Sequence, residues 1–180
     1  MTDDTSFEII DNDDIDSDFV DEIVKAGADR IRTCIQCGTC SAVCPSGRLT
    51  AFRTREVIRK ALLGLKEEVL ASEDIWMCST CYTCLERCPR QIKVTDAILI
   101  MRNMAVKHGF MLPEHRKTSQ KLIQTGHAVP IDDKNRGLRK ELGLDEVPPT
   151  THADEKALND VKEILKKTGF QELIESQEGQ

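Results

Sequence analysis

The sequence lacks several features that mark common protein classes. Its 180 residues include only five phenylalanines, one tryptophan and one tyrosine, so few large side chains are available to anchor a core. The longest apolar stretch, residues 94–104, is broken by polar and charged residues and is too short to cross a membrane. The first residues have neither a basic segment nor an apolar run, so no secretory signal is expected. These absences predict a cytoplasmic protein.

Basic residues are missing from the N-terminal segment. Residues 1–24 carry ten acids and no lysine or arginine, although the whole chain has 25 bases and 31 acids. We expect residues 1–15 to form an acidic flexible head. Residues 30–66, by contrast, are rich in arginine and lysine. Three interpretations stay open for this basic region: a solvated helix face, compensation of an anionic centre or partner, and nucleic-acid binding, which the lack of interleaved aromatics disfavours.

Cysteine is absent from both ends of the chain, because all eight cysteines lie between Cys34 and Cys88. They form two strings, CIQCGTCSAVCP and CSTCYTCLERCP, which share the pattern C-x2-C-x2-C-x3-C-P. In such strings three thiolates bind one [4Fe-4S] cube, and the fourth cysteine, extended by the following proline, binds the other cube. The spacing predicts two crossed ligand sets: Cys34, Cys37, Cys40 and Cys88 for cluster 1, and Cys78, Cys81, Cys84 and Cys44 for cluster 2.

Two other chemistries also use cysteine-rich strings. A disulfide framework is disfavoured because no export signal is seen. A zinc-stabilised interaction module stays open, although zinc explains neither the third cysteine spacing nor the two prolines. Two [4Fe-4S] clusters explain both, and a charge of about −2 on each would give the nearby arginines a role. No phosphate-binding loop or catalytic nucleophile is recognised, so we expect an electron carrier without an active site of its own.

The rest of the chain predicts helices joined by loops. Apolar periodicity predicts one helix from a cap at residues 16–18 to about Gly27, and others at about residues 51–63, 66–71, 96–108, 113–125 and 153–167. Thr50 and Thr95 are the predicted N-caps of the second and fourth of these, and residues 137–151 are expected to be irregular. We predict a helical two-cluster domain at residues 16–112 and a helical extension for packing and partner docking at residues 113–180.

The cysteine strings are accompanied by two further segments, VTDAILIMRNMAVKHG after the second string and PPTTHADEKAL near Thr150. Together they resemble the iron-sulfur C subunit of the CoB–CoM heterodisulfide reductases of methanogenic archaea, over about residues 16–170. The resemblance implies an all-α fold, a helical two-[4Fe-4S] ferredoxin similar to the C-terminal domain of succinate dehydrogenase iron-sulfur subunits, with added terminal helices.

The resemblance also implies a function in methanogenesis. In that family, the C subunit relays electrons from the bifurcating A subunit, which holds flavin and iron-sulfur clusters, to the B subunit, whose CCG motifs hold the non-cubane clusters that reduce the coenzyme M–coenzyme B heterodisulfide. A hydrogenase or formate dehydrogenase is expected in the larger complex. Nucleic acid is not expected as a partner. Since this chain has no CCG motif, the disulfide site is expected in its partner. The alternative is an electron-transfer subunit of another CCG-protein complex, of the sulfur-oxidising or the glycolate or lactate oxidase type.

Overall fold

The structure is a computed structural model that describes residues 10–176. These residues form ten α-helices with short 3-10 segments between them, and no strand occurs among them, which confirms the predicted all-α class. The helices are α1 (Phe19–Lys25), α2 (Thr39–Ala42), α3 (Thr54–Leu62), α4 (Lys66–Ala71), α5 (Thr83–Glu86), α6 (Val94–Lys107), α7 (Pro113–Thr125), α8 (Asp133–Glu141), α9 (Glu155–Lys167) and α10 (Phe170–Glu175). The chain divides into two compact units, one up to Phe110 and one from Met111.

The first unit encloses a hydrophobic core built mainly by α1, α3, α4 and α6. The side chains that are wholly enclosed are Phe19, Ile23, Ile31, Ala61, Leu70, Ile75, Ala97, Ile98, Met101 and Ala105. Five of the cysteines, Cys34, Cys40, Cys44, Cys78 and Cys88, pack partly buried against this core, and Cys84 lies within it. The cysteine strings are therefore attached to the best-packed part of the molecule.

Two helices of the first unit begin at other residues than predicted. Helix α3 begins at Thr54, because Phe52 is buried and the guanidinium of Arg53 donates to the carbonyls of Gly47, Thr50 and Phe52 at 2.9–3.0 Å, which fixes the preceding loop in a non-helical path. Helix α6 begins at Val94, so Thr95 is not its N-cap. Thr95 lies in the first turn and is buried.

The segment before α1 is attached to the connection between α3 and α4. The amide of Asp16 donates to the carbonyl of Gly64 at 2.8 Å. The ammonium of Lys66 lies 3.1 Å from the carboxylate of Asp16, 2.9 Å from that of Glu22, and 5.9 Å from the centre of the Phe19 ring. Within the predicted acidic head, residues 12–14 form a 3-10 turn, and residues 1–9 lie outside the described part.

The second unit contains α7 to α10. Helix α7 has the predicted bounds, with Pro113 in its first turn and Gly126 left-handed just after its end. The prediction of an irregular stretch was wrong at its beginning, since α8 runs through residue 137 after the side chain of Asp132 accepts from the Asn135 amide at 2.9 Å. Helix α9 packs against α7 and α10, and α10 was not predicted. Among the described residues, no helix is long and apolar enough to cross a membrane.

Candidate iron-sulfur centres

The two cysteine strings fold in the same way. Each follows a 3-10 segment, at Ile31–Thr33 or Glu73–Met77, and its first cysteine is extended, with φ and ψ of −66° and 120° at Cys34 and −67° and 118° at Cys78. In each string a short helix, α2 or α5, carries the third cysteine and ends before the fourth. The internal repeat of the sequence is therefore also a repeat of backbone conformation.

Two residues of each string have a left-handed backbone. They are Gln36 and Gly38 in the first, with φ of 55° and 81°, and Thr80 and Tyr82 in the second, with φ of 53° and 61°. Glycine adopts the positive φ at Gly38 at little steric cost. Tyr82 occupies the matching position in the second string, where a side chain makes this conformation costly. The same turn is thus formed with and without glycine.

The first predicted ligand set meets around one small cavity. This cavity is lined by Cys34, Cys37, Cys40 and Cys88, and no other cysteine lines it. Cys88 belongs to the second string, so the chain brings the fourth cysteine of one string to the first three of the other, as the crossed prediction requires. Arg55 and Arg90 line the same cavity. The assignment of these four residues as ligands remains a prediction that this placement supports.

The second predicted set is assembled where the two strings meet. Helix α2 packs against α5, and the hydroxyl of Ser46, just after Cys44, donates to the carbonyl of Met77 at 2.7 Å. This bond brings the loop of Cys44 next to Cys78. Cys84 is close enough to Cys78 and Cys81 for a charge on either of them to raise its pKa, and Cys84 affects the pKa of Cys40 in the same way. The two sets are therefore neighbours.

Hydrogen-bond donors surround the sulfurs of both sets. Backbone amides of Gly47 and Ile92 donate to Cys44 and Cys88, each at 3.4 Å. Side-chain contacts join Gln36 Nε2 to Cys34 at 3.4 Å, Thr39 Oγ1 to Cys37 at 3.4 Å, Thr83 Oγ1 to Cys81 at 3.5 Å and Thr95 Oγ1 to Cys84 at 3.3 Å. The side chain of Ser79 also bonds to Cys81. Once iron has replaced the thiol protons, only the hydroxyl or amide can donate. Such bonds orient ligands and help to set cluster potentials.

Burial divides the cysteines into two kinds. Desolvation raises the pKa of the Cys40 thiol to about 11 and also raises the pKa of Cys84. The hydroxyls of Thr39 and Thr83 lower the pKa of Cys37 and Cys81, which are the exposed cysteines of their strings. A free thiolate is therefore disfavoured at the two inner positions, and binding iron there must displace a proton. Each site reaches the surface through its second cysteine.

Sequence reasoning missed two residues next to the second set. Thr95 was assigned to a helix cap, but its hydroxyl faces Cys84. Arg102 was treated only as an interruption of an apolar run, but its Nε donates to the carbonyl of Ile75 at 2.7 Å and its Nη2 to the carbonyl of Cys78. Its guanidinium is half-buried and lies 5.7 Å from the Trp76 ring centre. Burial lowers the pKa of Arg102. An arginine side chain nevertheless keeps its charge in proteins. No pattern in the sequence alone indicates either contact.

The basic region of residues 30–66 has more than one role. Three of its bases pair with acids: Arg32 with Asp21, Lys60 with Glu56 and Glu68, and Lys66 with Asp16 and Glu22. The guanidinium of Arg53 donates hydrogen bonds to backbone carbonyls. Arg55 is exposed and lines the cavity of the first cysteine set, where it can compensate an anionic cluster. Compensation of a nearby charge is thus supported for this arginine and not for the region as a whole.

The thiols fit a cube better than a single ion. Within residues 10–176, no three cysteine, histidine or acidic side chains converge tightly enough to enclose one metal ion. A tetrahedral zinc site holds its four sulfurs about 2.3 Å from one ion. In a cubane each thiolate binds a different iron, so the sulfurs are further apart. Eight thiols in two neighbouring sets, with no cysteine left over, are the donors that two [4Fe-4S] clusters need.

Similarity to a known domain family supports this assignment of the cofactor. Residues 30–92 match the family model of the 4Fe-4S dicluster domain. The match confirms the helical two-cluster ferredoxin type and the two [4Fe-4S] clusters predicted from the cysteine spacing. It covers the two cysteine strings and the helices between them.

The chain is also similar over most of its length to curated proteins of methanogenic archaea. It is 50% identical over 166 residues, 92% of this chain and 90% of the relative, to the C subunit of the "H(2):CoB-CoM heterodisulfide,ferredoxin reductase" of Methanothermobacter marburgensis. It is 47% identical over 174 residues, 92% of this chain and 91% of the relative, to the iron-sulfur C subunit of the "CoB--CoM heterodisulfide reductase" of Methanopyrus kandleri. The C subunit of the "Ferredoxin/F(420)H(2)-dependent CoB-CoM heterodisulfide reductase" of Methanosarcina acetivorans is 47% identical over 153 residues, 85% of this chain and 94% of the relative.

Proposed function

Because this chain belongs to the family of iron-sulfur C subunits of CoB–CoM heterodisulfide reductases, we propose that it relays electrons through its two [4Fe-4S] clusters within such a complex. As a member of this family it is an iron-sulfur electron-transfer subunit of an oxidoreductase complex. The observation that carries the relay is the pair of neighbouring cysteine sets, each of which reaches the surface through one exposed cysteine, Cys37 or Cys81. Electrons can therefore enter at one cluster, cross to the other and leave there.

The proposal assigns the ligands as the crossed sets predicted from the sequence. Cluster 1 is held by Cys34, Cys37, Cys40 and Cys88, and cluster 2 by Cys78, Cys81, Cys84 and Cys44. The shared cavity of the first set and the contact between Ser46 and Met77 beside the second support this assignment. The clusters accept and donate single electrons, while the protein holds them, orients the thiolates and shields the inner sulfurs from water.

The proposal also names the partners on either side. Electrons arrive from the flavin-containing, bifurcating A subunit and pass to the B subunit, which reduces the coenzyme M–coenzyme B heterodisulfide in the cytoplasm. A hydrogenase or formate dehydrogenase supplies the complex. The names of related C subunits refer to hydrogen, to formate, or to ferredoxin and F420H2, which supports one relay subunit serving different donors. The helices from Met111 onwards are proposed to dock partner subunits, and residues 16–112 to form the cluster domain.

Anaerobic isolation of the native complex through a tag on this chain tests the proposal. We expect co-purification of a flavoprotein and of a protein with non-cubane clusters, together with heterodisulfide reduction driven by a reduced donor. In a complex that carries Cys84→Ala, the partners should remain bound and heterodisulfide reduction should be almost abolished. The matched control is His108→Ala, an exposed residue after α6, which should retain full activity.

Two results would contradict the proposed function. One is an isolated complex that contains no protein with non-cubane clusters or reduces no heterodisulfide. The other is a colourless chain with stoichiometric zinc and no iron, which would make the cysteines structural ligands. Both results are read from metal content, subunit identity and activity, and neither depends on the potentials of the clusters.

A further inference from the structure

The two halves of the first unit repeat each other beyond the cysteine strings. In each half the 3-10 segment before the string packs against the helix after it, which is α3 in the first half and α6 in the second. The buried positions of these helices and the residues before and after them recur at a spacing of 40 residues. The matched buried pairs are Phe52 and Ile92, Val57 and Ala97, Ile58 and Ile98, Ala61 and Met101, and Leu65 and Ala105. The two halves can therefore be compared position by position.

The repeat breaks at one position beside the second string. The residue that matches Arg102 in this register is Leu62, which packs partly buried against the core. Arg102 is half-buried and bonds to the carbonyls of Ile75 and Cys78, which lie in the 3-10 segment and at the first cysteine of the string. The first half therefore has a neutral side chain at the matching position. At this position the repeat thus carries a positive charge in the second half only.

Hydrogen bonds to the cysteine sulfurs are divided more evenly between the two ligand sets. Among the described residues, the fourth cysteine of each ligand set accepts a hydrogen bond from a backbone amide, that of Ile92 in the first set and of Gly47 in the second. The second cysteine of each set contacts a threonine hydroxyl, that of Thr39 in the first set and of Thr83 in the second. One further side chain contacts a sulfur of the first set, Gln36 at Cys34, and two contact sulfurs of the second set, Thr95 at Cys84 and Ser79 at Cys81. All of these groups are neutral, so this difference of one contact is smaller than that of a fixed charge.

The arginines near the first set differ from Arg102 in their exposure. Arg55 and Arg90 line the cavity of that set, but both are exposed, so water and salt screen their charges. Arg102 is shielded by Trp76, with the guanidinium carbon 5.7 Å from the ring centre, and is held by two backbone carbonyls. A charge in a less polar environment acts more strongly on its neighbours. Arg102 is therefore the main electrostatic difference between the halves.

We propose that Arg102 is a positioning residue that raises the reduction potential of cluster 2 above that of cluster 1. This inference rests on the proposed function and its crossed ligand sets. Reduction adds one negative charge to a cluster, and a nearby fixed positive charge stabilises the reduced form. When a chemical reductant gives up one electron to the oxidised chain, the electron is held at cluster 2, and cluster 1 is reduced only by the next electron.

Potentiometric titration of the full-length chain, followed by electron paramagnetic resonance, tests this inference. The wild-type chain should show two one-electron waves. Arg102→Met keeps the apolar stem and removes the charge, so the more positive wave should move to a more negative potential by at least tenfold in its equilibrium constant, about 59 mV. The other wave should move less. The matched control Arg59→Met removes an exposed charge from α3 and should leave both waves nearly in place.

A second variant separates charge from hydrogen bonding and from folding defects. Arg102→Lys keeps the positive charge with fewer donors, and its more positive wave should lie between those of the wild type and Arg102→Met. Iron content of each variant shows whether both clusters are present. The inference is overturned if Arg102→Met, with both clusters present, leaves the waves unmoved, if only the more negative wave moves, or if Arg102→Lys matches Arg102→Met. A wild-type chain without two iron-sulfur waves would overturn the proposed function as well.

Discussion

At the scale of single residues, the site depends on which cysteine joins which set. Within each string the first three cysteines are close in sequence, and the fourth is separated from them by three residues and followed by proline. The cavity lined by Cys88 together with Cys34, Cys37 and Cys40 supports the crossed arrangement. The crossing has a consequence that a simple pair of independent sites would not have. In the proposed crossed sets, loss of a fourth cysteine should damage the cluster that the other string holds.

Single cysteine variants test the crossing directly. We expect Cys88→Ala and Cys40→Ala to lose the same signal in the electron paramagnetic resonance spectrum, because both residues are assigned to cluster 1. Cys44→Ala and Cys84→Ala should lose the other signal. In each variant the iron content should fall from about eight towards about four per chain, since four irons belong to each cluster. If Cys88→Ala instead matches Cys84→Ala, each string would hold its own cluster and the crossing would be wrong.

The residues that sequence reasoning missed share one property. The cysteines could be predicted because their spacing is set by the cluster that they bind. Thr95 and Arg102 act through positions that only the folded chain reveals, since their contacts cross from α6 to the second string. A threonine near the start of a helix is usually a cap, and an arginine in an apolar helix is usually on its solvent side. Their local sequence therefore favoured the wrong interpretation.

At the scale of elements, the end of α3 is fixed by a close approach of two chain segments. Gly64 has a φ of +79°, and a Cβ placed on it would lie 2.5 Å from the carbonyl oxygen of Asp16. The Asp16 amide donates to the Gly64 carbonyl in the same contact. Glycine is needed here both for its backbone conformation and for the space. The sequence pattern predicted only that this helix would end at about residue 63.

Replacement of this glycine should destabilise the first unit. We expect Gly64→Ala to lower the free energy of unfolding by roughly 2–4 kcal/mol, because the left-handed backbone and the backbone overlap both add a cost. Gly143→Ala is the matched control, since Gly143 has a φ of +70° but nothing within 4 Å of an added Cβ. Its cost should be about 1 kcal/mol. Anaerobic chemical unfolding of the loaded protein measures both, and equal costs would argue against the close approach.

Lys66 joins α4 to the segment that leads into α1. Its ammonium side chain is 14% exposed and contacts the carboxylates of Asp16 and Glu22. The hydrogen bond from Lys66 lowers the pKa of Asp16 below 3.8. Desolvation opposes the charged form of Lys66, but its hydrogen bonds to Glu22 and Asp16 raise its pKa above 10.5. The stabilisation is lost as pH falls through the lowered pKa of Asp16 or rises through the raised pKa of Lys66.

Lys66→Met should therefore weaken the protein by an amount that does not depend on pH near neutrality. We expect a loss of about 1–2 kcal/mol, between the values of exposed and buried ion pairs. The difference from the wild type should stay constant from about pH 6 to about pH 9, since both relevant pKa values lie outside this range. Lys117→Met, which breaks an exposed pair with Glu114, should have a smaller effect. Thermal unfolding under anaerobic conditions provides the comparison, and a difference that changes across this range would contradict the assignment.

The helices show where sequence patterns are informative and where they are not. Helix α7 could be predicted to the residue because Pro113 and Gly126 act locally at its two ends. Helix α8 was missed because a glycine at residue 137 reads as a breaker, although an aspartate cap upstream and a short helix tolerate it. The start of α3 depends on Arg53 binding three carbonyls, a tertiary feature that helical periodicity does not encode.

At the scale of the whole molecule, the cysteine-bearing unit has an arrangement suited to electron transfer. Two cluster sites lie next to each other because α2 packs against α5, and Cys84 of the second set is close enough to Cys40 of the first to affect the pKa of Cys40. The exposed Cys37 and Cys81 lead from each cluster towards solvent. In the proposed ligand sets all eight cysteines bind iron, which leaves no thiol for disulfide chemistry. The proposed relay therefore has the heterodisulfide reduced by another subunit, to which this chain supplies the electrons.

Rapid-freeze electron paramagnetic resonance of the native complex tests this relay most directly. The complex is reduced anaerobically by its donor, mixed with the coenzyme M–coenzyme B heterodisulfide and frozen at increasing times. The relay predicts that the signals of both [4Fe-4S] clusters of this chain, identified by their loss in the cysteine variants, disappear at least as fast as thiol product forms. Signals that persist while the heterodisulfide is reduced at the full rate would contradict it.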